Sequence, residues 1–570
     1  MPVIRKVYDY MRKRLGLLSI LIALSVVFTS CKKINVIVDD DSQLDNAGEV
    51  VIRKDTVNIP LKKLSSLNPL ESKEADYYNF SKLIYQSLFE FNKEERVIPL
   101  LVEEYKILGD GKVVEFELKE GIKWHNGEEL STSDVEFTIE MLENLDENTI
   151  YYELLDSAIG NFDSLAISKS IDLNIIDSRN ATIVFNKTYG NNLEALTFPI
   201  LNEASYDEEF KPIGTGPYKF IDYNGSEGIK LEKNSDYWDG EVAIENINGK
   251  LFDNDSMVLK AFQDRRVDFA SGSAIDLKEY SKDSNAKMLE YISPEYEFLS
   301  YNLKNNILSG EEGKQIRQAI YYGIDIQSII ADVYQGHATQ TDTPIRIDSF
   351  LAEDVERFYG YSMEKATSIL ESIGFKYLDK EGVLTNLEGE KLEFRLVTNF
   401  LNDRRKKIAK LIKKDLEKVG INIILDYPLG DLENVDRVDQ VMLDQEWDEL
   451  NSIISSGNYD LAVLGWETSV VQDISFMFHS SYLKKGTNIN FYNDGKIDNL
   501  LSDMYFSRRD RKVTIAKELQ EYIMEELPYG SLFFENGALL MDRKIKGPLE
   551  PDFHNLYRGL EKCKIESVKD

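Results

Sequence analysis

LEFRLV at 392–397, RRKKIAKLIKKDLEKV at 404–419, Gly420 and INIIL at 421–425 read in succession as strand, helix, stop and strand. The outer runs are short and apolar, and the middle one is basic and amphipathic. A glycine after the last periodic residue ends the helix. This is a β-α-β unit, which predicts parallel strands joined by a right-handed crossover. A second unit follows it. Val435, Val438, Met442, Leu443, Trp447, Leu450 and Ile454 recur at helical spacing and predict an amphipathic helix with an acidic outer face. Gly457 and Asn458 end that helix, and YDLAVLGW at 459–466 reads as a buried strand running into a loop. Ligands in such sheets sit beyond the carboxyl ends of the strands, so the loop after Trp466 is the first place to look for a site.

The same alternation extends outward. KVVEFELK at 112–119 reads as a strand, and Asp110-Gly111 before it as a hairpin turn. STSD at 131–134 opens a helix, with Ser131 or Thr132 as N-cap and Asp134 in the first turn. Strand-like and helix-like segments interleave along the whole body, which predicts an α/β (mixed α+β) fold. At roughly 150 residues per domain, 570 residues allow two to four compact units, and 42% hydrophobic residues suffice for a large core.

Charge and composition then remove function classes. Against 67 Lys and Arg stand 100 Asp and Glu, a net charge of -33 that repels phosphate backbones and argues against nucleic acid as a partner. Two cysteines, Cys31 and Cys563, support neither a disulfide scaffold nor a cysteine-rich zinc site. The four histidines do not stand three to five residues apart, so no metal or other cofactor is expected. No nucleophile elbow, H-E-x-x-H or Walker loop occurs. With 100 acids, neighbouring carboxylates arise by chance everywhere, so paired carboxylates do not single out a glycosidase. A secreted hydrolase stays only a remote alternative, and no enzyme activity is expected.

The N-terminus carries an export signal. Arg12, Lys13 and Arg14 precede an uncharged apolar run over 15–28, followed by Thr29-Ser30-Cys31. About 16 helical residues span roughly 24 Å, short of the ~30 Å hydrocarbon core, so a cleaved signal over 1–30 is expected rather than a membrane-spanning helix. The apolar tract opens close to Met11, an alternative start to Met1. Residues 28–31 (FTSC) resemble a bacterial lipobox, with Phe28 where leucine is usual, and this implies that Cys31 is acylated and becomes the mature N-terminus. Several acyl chains suffice for stable anchoring, and Lys32 and Lys33 would face anionic headgroups. Cleavage removes five basic residues and one acidic residue, leaving the mature body near -37. Residues 31–49, acidic around Asp39-Asp40-Asp41, read as a solvated tether. Cys563 is expected to be a buried small apolar residue.

Some motifs that invite chemistry have plain structural readings. Gly214-Thr215-Gly216 is not a phosphate loop, because Pro217 lacks the N–H such a cradle uses; its glycines should permit a turn into the strand at 218–221. His125 stands alone between a strand and a helix cap and should fix a turn by hydrogen bonding. Tyr237 and Trp238 read as packing residues.

Together, several blocks resemble one family. LNP at 67–69 with IYQSLF at 84–89, GIKWHNG at 121–127 with LSTSDV at 130–135, GTGPY at 214–218 with NSDYW at 234–238, RQAI at 317–320 with Ile324-Asp325, and YDL at 459–461 with Gly465-Trp466 occur in family order. They are similar to the extracytoplasmic solute-binding proteins of ABC importers, in the oligopeptide, dipeptide and nickel class (bacterial family 5). The resemblance implies a two-lobed periplasmic-binding-protein-like fold of type II, with an extra domain inserted in lobe I. Carried over, lobe I is 50–75, 205–295 and 532–570, the inserted domain 76–204, and lobe II 296–531. The crossovers would lie near Tyr301-Asn302 and Leu532-Phe533. It further implies a monomer on the outer face of the bacterial cytoplasmic membrane, or on the periplasmic side in a diderm, that closes on its solute and is recognised by an ABC permease.

In peptide-binding relatives an aspartate three residues after the Gly-Trp tryptophan holds the ligand's amino group. Here that position is Ser469, which cannot neutralise an ammonium in a closed cleft. Either Glu467 or Asp473 replaces the carboxylate, or the ligand lacks the amine. Trp466, as ligand wall, completes the expected set of Trp466, Glu467, Ser469 and Asp473. A peptide-like solute is the first expectation. A nickel chelate, heme, a sugar, or a signalling peptide sensed without transport are the alternatives.

Overall fold

The computed structural model describes residues 55–160, 170–206, 210–430 and 438–566. The expected export signal over 1–30, Cys31, the expected tether over 31–49 and Val435 lie outside the described residues. The largest sheet contains β1 (Ala286–Tyr301), β2 (Glu393–Val397), β3 (Asn422–Asp426), β4 (Leu461–Glu467) and β5 (Tyr529–Asp542). Its order is Phe269–Ser273, β5, β1, β4, β2, β3, with Ala338–Gln340 also on β5. The β-α-β expectation holds: β2 runs parallel to β3 and to β4, with helix α1 (Asp403–Glu417) leading to β3 and helix α2 (Gln440–Ser456) leading to β4. β1 is antiparallel to both β4 and β5.

Burial explains why residues 461–464 read as a continuous apolar run. Leu461 and Val463 face a core with Ile408, Ile412 and Leu416 of α1, and Ala462 and Leu464 face another with Leu450 and Ile454 of α2. Strands covered on both faces lose the alternating pattern. Along α2 the sequence pattern is only half right. Val438, which precedes the helix, and Leu443 and Trp447 within it are exposed, and the inward position is taken by Glu446, whose carboxylate accepts from Leu401 N at 3.0 and 3.1 Å. A hydrophobic stripe cannot register that a buried carboxylate answers a loop N–H.

Among the described residues, three two-stranded sheets and two four-stranded ones accompany the largest sheet. In one, Thr56–Lys62 runs parallel to Asn246–Phe252, which continues antiparallel through Gly228–Lys233 to Tyr218–Asn224. In the other, Val102–Leu108, Val113–Leu118, Asn180–Phe185 and Ile171–Ile175 pair antiparallel in that order. Ser131 is the N-cap of Thr132–Met141, and its N–H donates to Asp134 Oδ2 at 2.8 Å, closing a capping box.

The glycines of the GTG segment have a firmer reason than a turn. A Cβ at Gly214 would stand 1.8 Å from Ile84 O and one at Gly216 2.7 Å from it, so two backbones meet where no side chain fits. His125 ties this contact down. Gly214 N donates to Nδ1 at 3.2 Å, and Nε2 donates to Gly216 O at 3.0 Å. Burial pushes the imidazole pKa down to about 4 and keeps the ring neutral. Tyr237 and Trp238 pack as expected and share Gln86, which donates to Tyr237 Oη at 3.0 Å and accepts from Trp238 Nε1 at 2.8 Å. Cys563 is buried, and burial pushes its thiol up to about 11.

Candidate functional site

The carboxyl end of β4 is open on one side. β2 accompanies β4 only at Leu461 and Ala462, after which Thr398 Oγ1 donates to Val463 O at 2.7 Å and the chain turns into α1. β1 stays alongside to the end, setting Glu297 opposite Gly465, Tyr296 opposite Trp466 and Glu295 opposite Glu467. Trp466 is half-buried. Its ring lies 6.5 Å from Phe298, nearly parallel, and meets Phe476 edge-on at 5.3 Å. It continues an aromatic wall with Tyr296, Tyr529 and Phe534.

The charges around this end divide into neutralised and open ones. Arg405, in the first turn of α1, grips Glu297 with Nε at 3.0 and 3.1 Å and Nη2 at 2.6 Å, and Nη1 reaches Asn399 Oδ1 at 3.2 Å. Both members of the pair are largely buried. A Cβ at Gly465 would stand 2.3 Å from Arg405 Nη2 and 2.7 Å from Glu297 Oε1, so any larger residue there must displace the pair. Arg404 pairs with Asp276 and lies 3.7 Å from Glu535, whose carboxylate also accepts from Tyr334 at 2.9 Å and Ser273 at 3.3 Å.

Glu467, Glu295 and Glu153 are exposed carboxylates at the rim. Partial burial, and then the neighbouring charge of Glu467, pushes the Glu295 carboxyl up to about 7. Burial and Glu467 also raise Glu153, which stands across from the strand end. Asp156 is raised by burial, opposed by Lys485 and reinforced by Asp473. An added positive charge at this rim would relieve several carboxylates at once.

The expected residues separate into two groups. Trp466, Glu467 and Ser469 stand together at the strand end, with Ser469 Oγ donating to Ser157 Oγ at 2.7 Å. Asp473 turns away into the body. It is buried, its Oδ1 accepts from Ser475 N at 2.9 Å, and it borders a cavity of about 10 Å³ shared with Asn191 and Gln472, room for a single water. Sequence reading missed Glu295, Glu297, Arg404, Arg405 and Glu535. One signal was available. Two arginines in the first turn of a helix oppose its dipole, and so call for carboxylates elsewhere in the chain.

Comparisons with known proteins agree on one class. The profile of the bacterial extracellular solute-binding proteins, family 5 Middle, matches residues 96–488. The chain is 28% identical over 546 residues to the oligopeptide-binding protein AppA of Bacillus subtilis strain 168, covering 94% of this chain and 95% of that one. Two solved structures share the fold. NikZ from Campylobacter jejuni in complex with Ni(L-His) aligns with a TM-score of 0.60 at 23% identity, over 90% of this chain and 100% of the other. AppA from Bacillus subtilis in complex with a nonapeptide aligns at 0.56 and 23%, over 90% and 99%.

Proposed function

The chain belongs to the bacterial extracellular solute-binding proteins of family 5, and from that premise we propose that it is the surface-anchored receptor of an ABC importer, capturing a peptide-like solute between two lobes and delivering it to the permease. The observation that carries the peptide reading is the pair Glu467 and Glu295 at the open end of β4, beside the Trp466 wall. An extended peptide would find unpaired strand edge for its backbone, aromatic surface for a side chain, and carboxylate for its terminal ammonium. Glu467 is assigned the counter-charge that Ser469 lacks. Asp473, turned inward onto Ser475 N, shapes the loop. The relatives that match this chain are binding proteins, and the rim is read as a binding site.

The lobes are assigned as 50–75, 205–295 and 532–570 for the first, with 76–204 inserted, and 296–531 for the second. The irregular registers between Ile292 and Tyr296, and between Glu297 and Phe298, support a hinge where β1 and β5 run between the lobes. Acylated Cys31 would hold the body at the membrane, an anchor that Cys31→Ala would release into the soluble fraction.

Mass spectrometry of what co-purifies with the body after mild denaturation tests the solute class. A ladder of short peptides is the expected result. A single non-peptide mass or a metal chelate would contradict it.

A further inference from the structure

Away from the strand end, one buried carboxylate gathers contacts from three distant stretches of chain. Glu95 lies in the hairpin turn between Phe89–Phe91 and Val97–Pro99, at φ 60°, a left-handed conformation that side chains other than glycine adopt at a cost. It is only 4% exposed. Its carboxylate pairs with Arg346, itself 3% exposed, and accepts from Gln472 Nε2. His554 Nε2 lies 3.6 Å away, its ring stacked 4.1 Å from Phe91. Arg346 is held from behind, with Nε on Asp348 at 3.2 Å and its guanidinium 4.0 Å over the Phe553 ring.

The rest of the hairpin turn docks on the same stretch. Phe350 N donates to Glu94 O at 2.9 Å, and Arg96 pairs with Glu353 at 2.7 Å while lying over the Phe350 ring. Gln472 belongs to the loop that also carries Glu467 and Ser469. The contact therefore joins the proposed inserted domain to the candidate ligand loop and to the 346–353 segment.

We propose that Glu95 is a positioning residue for solute capture, a latch whose pairing with Arg346 and Gln472 selects the closed arrangement and fixes the ligand loop within it. This rests on the receptor reading above for its purpose, although not for its test. Opening would hydrate both ions, so an intact pair adds little net attraction by itself. Its value is selective. Arg346 keeps Asp348 in any placement, whereas the buried Glu95 meets its arginine only when the two bodies sit this way.

The test needs spin labels at Glu143→Cys and Lys484→Cys, both exposed positions, and pulsed dipolar distances with and without a pool of tetra- to nonapeptides. Glu95→Gln removes the cross-body partner of Arg346 and leaves it Asp348 alone, and the closed-to-open ratio should fall about tenfold. Adding Arg346→Met removes this half-satisfied buried charge and should restore the ratio to within about threefold of the parent. The latch is overturned by an unchanged ratio in Glu95→Gln, by a double variant no better than the single one, or by a parent that never populates the short distance. Distances that respond while no peptide binds would leave the latch standing and sink the peptide reading instead.

Discussion

His125 shows what a lone histidine next to a motif does here. Its two nitrogens are used by Gly214 N and Gly216 O, and burial holds its pKa near 4 against about 6.5 in an unfolded chain. Between those values the unfolded chain binds the extra proton, so stability must fall as pH drops from 6.5 through 4. A displacement of this size amounts to about 3 kcal/mol. Urea titrations from pH 4 to 7.5 should show that His125→Gln lacks this acid-side loss, and its deficit relative to the parent should shrink as pH falls. A deficit constant across the range would mean that the ring titrates normally. That His125 would bond backbone groups was legible in the sequence, but it was expected to fix its own turn, and Gly214 and Gly216, 89 and 91 residues away, were not foreseeable. The identity of the Ser469 partner was not, since Ser157 is 312 residues away and no local pattern marks the contact.

Among elements, the β2-α1-β3 and α2-β4 units followed from periodicity because their forces are local: caps, glycine stops and apolar faces. The rim charges did not, because Glu295 and Glu297 acquire meaning only through cross-strand register with β4. Gly465 illustrates the difference. In the sequence it precedes a tryptophan; in the sheet it is the floor beneath a buried Arg405–Glu297 pair. Gly465→Ala should displace that pair and cost about 2–4 kcal/mol of unfolding free energy in urea, combining overpacking with a disrupted buried ion pair. Gly225→Ala, where an added methyl meets nothing within 4 Å, serves as the control and should stay within about 0.5 kcal/mol of the parent. Equal effects at the two sites would show that the pair tolerates the intrusion.

For the whole molecule, the ordered set of motifs conveyed the family, and composition had already removed nucleic acid and cysteine-rich metal sites from consideration. The sequence did not reveal how firmly the 76–204 stretch is tied to the far part of the chain. Glu194 meets Arg509 at 2.5 Å and Lys512 at 3.2 Å, and Gly190 N donates to Tyr505 O at 2.7 Å. Together with the Glu95–Arg346 and Ser469–Ser157 contacts, these tie the 76–204 stretch to the 296–531 stretch at several points. The central claim is that Glu467 supplies the charge for a solute with a free amine. Calorimetry of one peptide series, with free and with N-acetylated amino termini, tests it most directly against the parent and Glu467→Gln. Removing one partner of a hydrogen-bonded charge pair in a closed cleft costs about 2–5 kcal/mol. The parent should therefore bind the free amine at least tenfold more tightly, and Glu467→Gln should lose that preference. Equal binding of both forms by the parent, or a preference that survives in Glu467→Gln, would contradict the account.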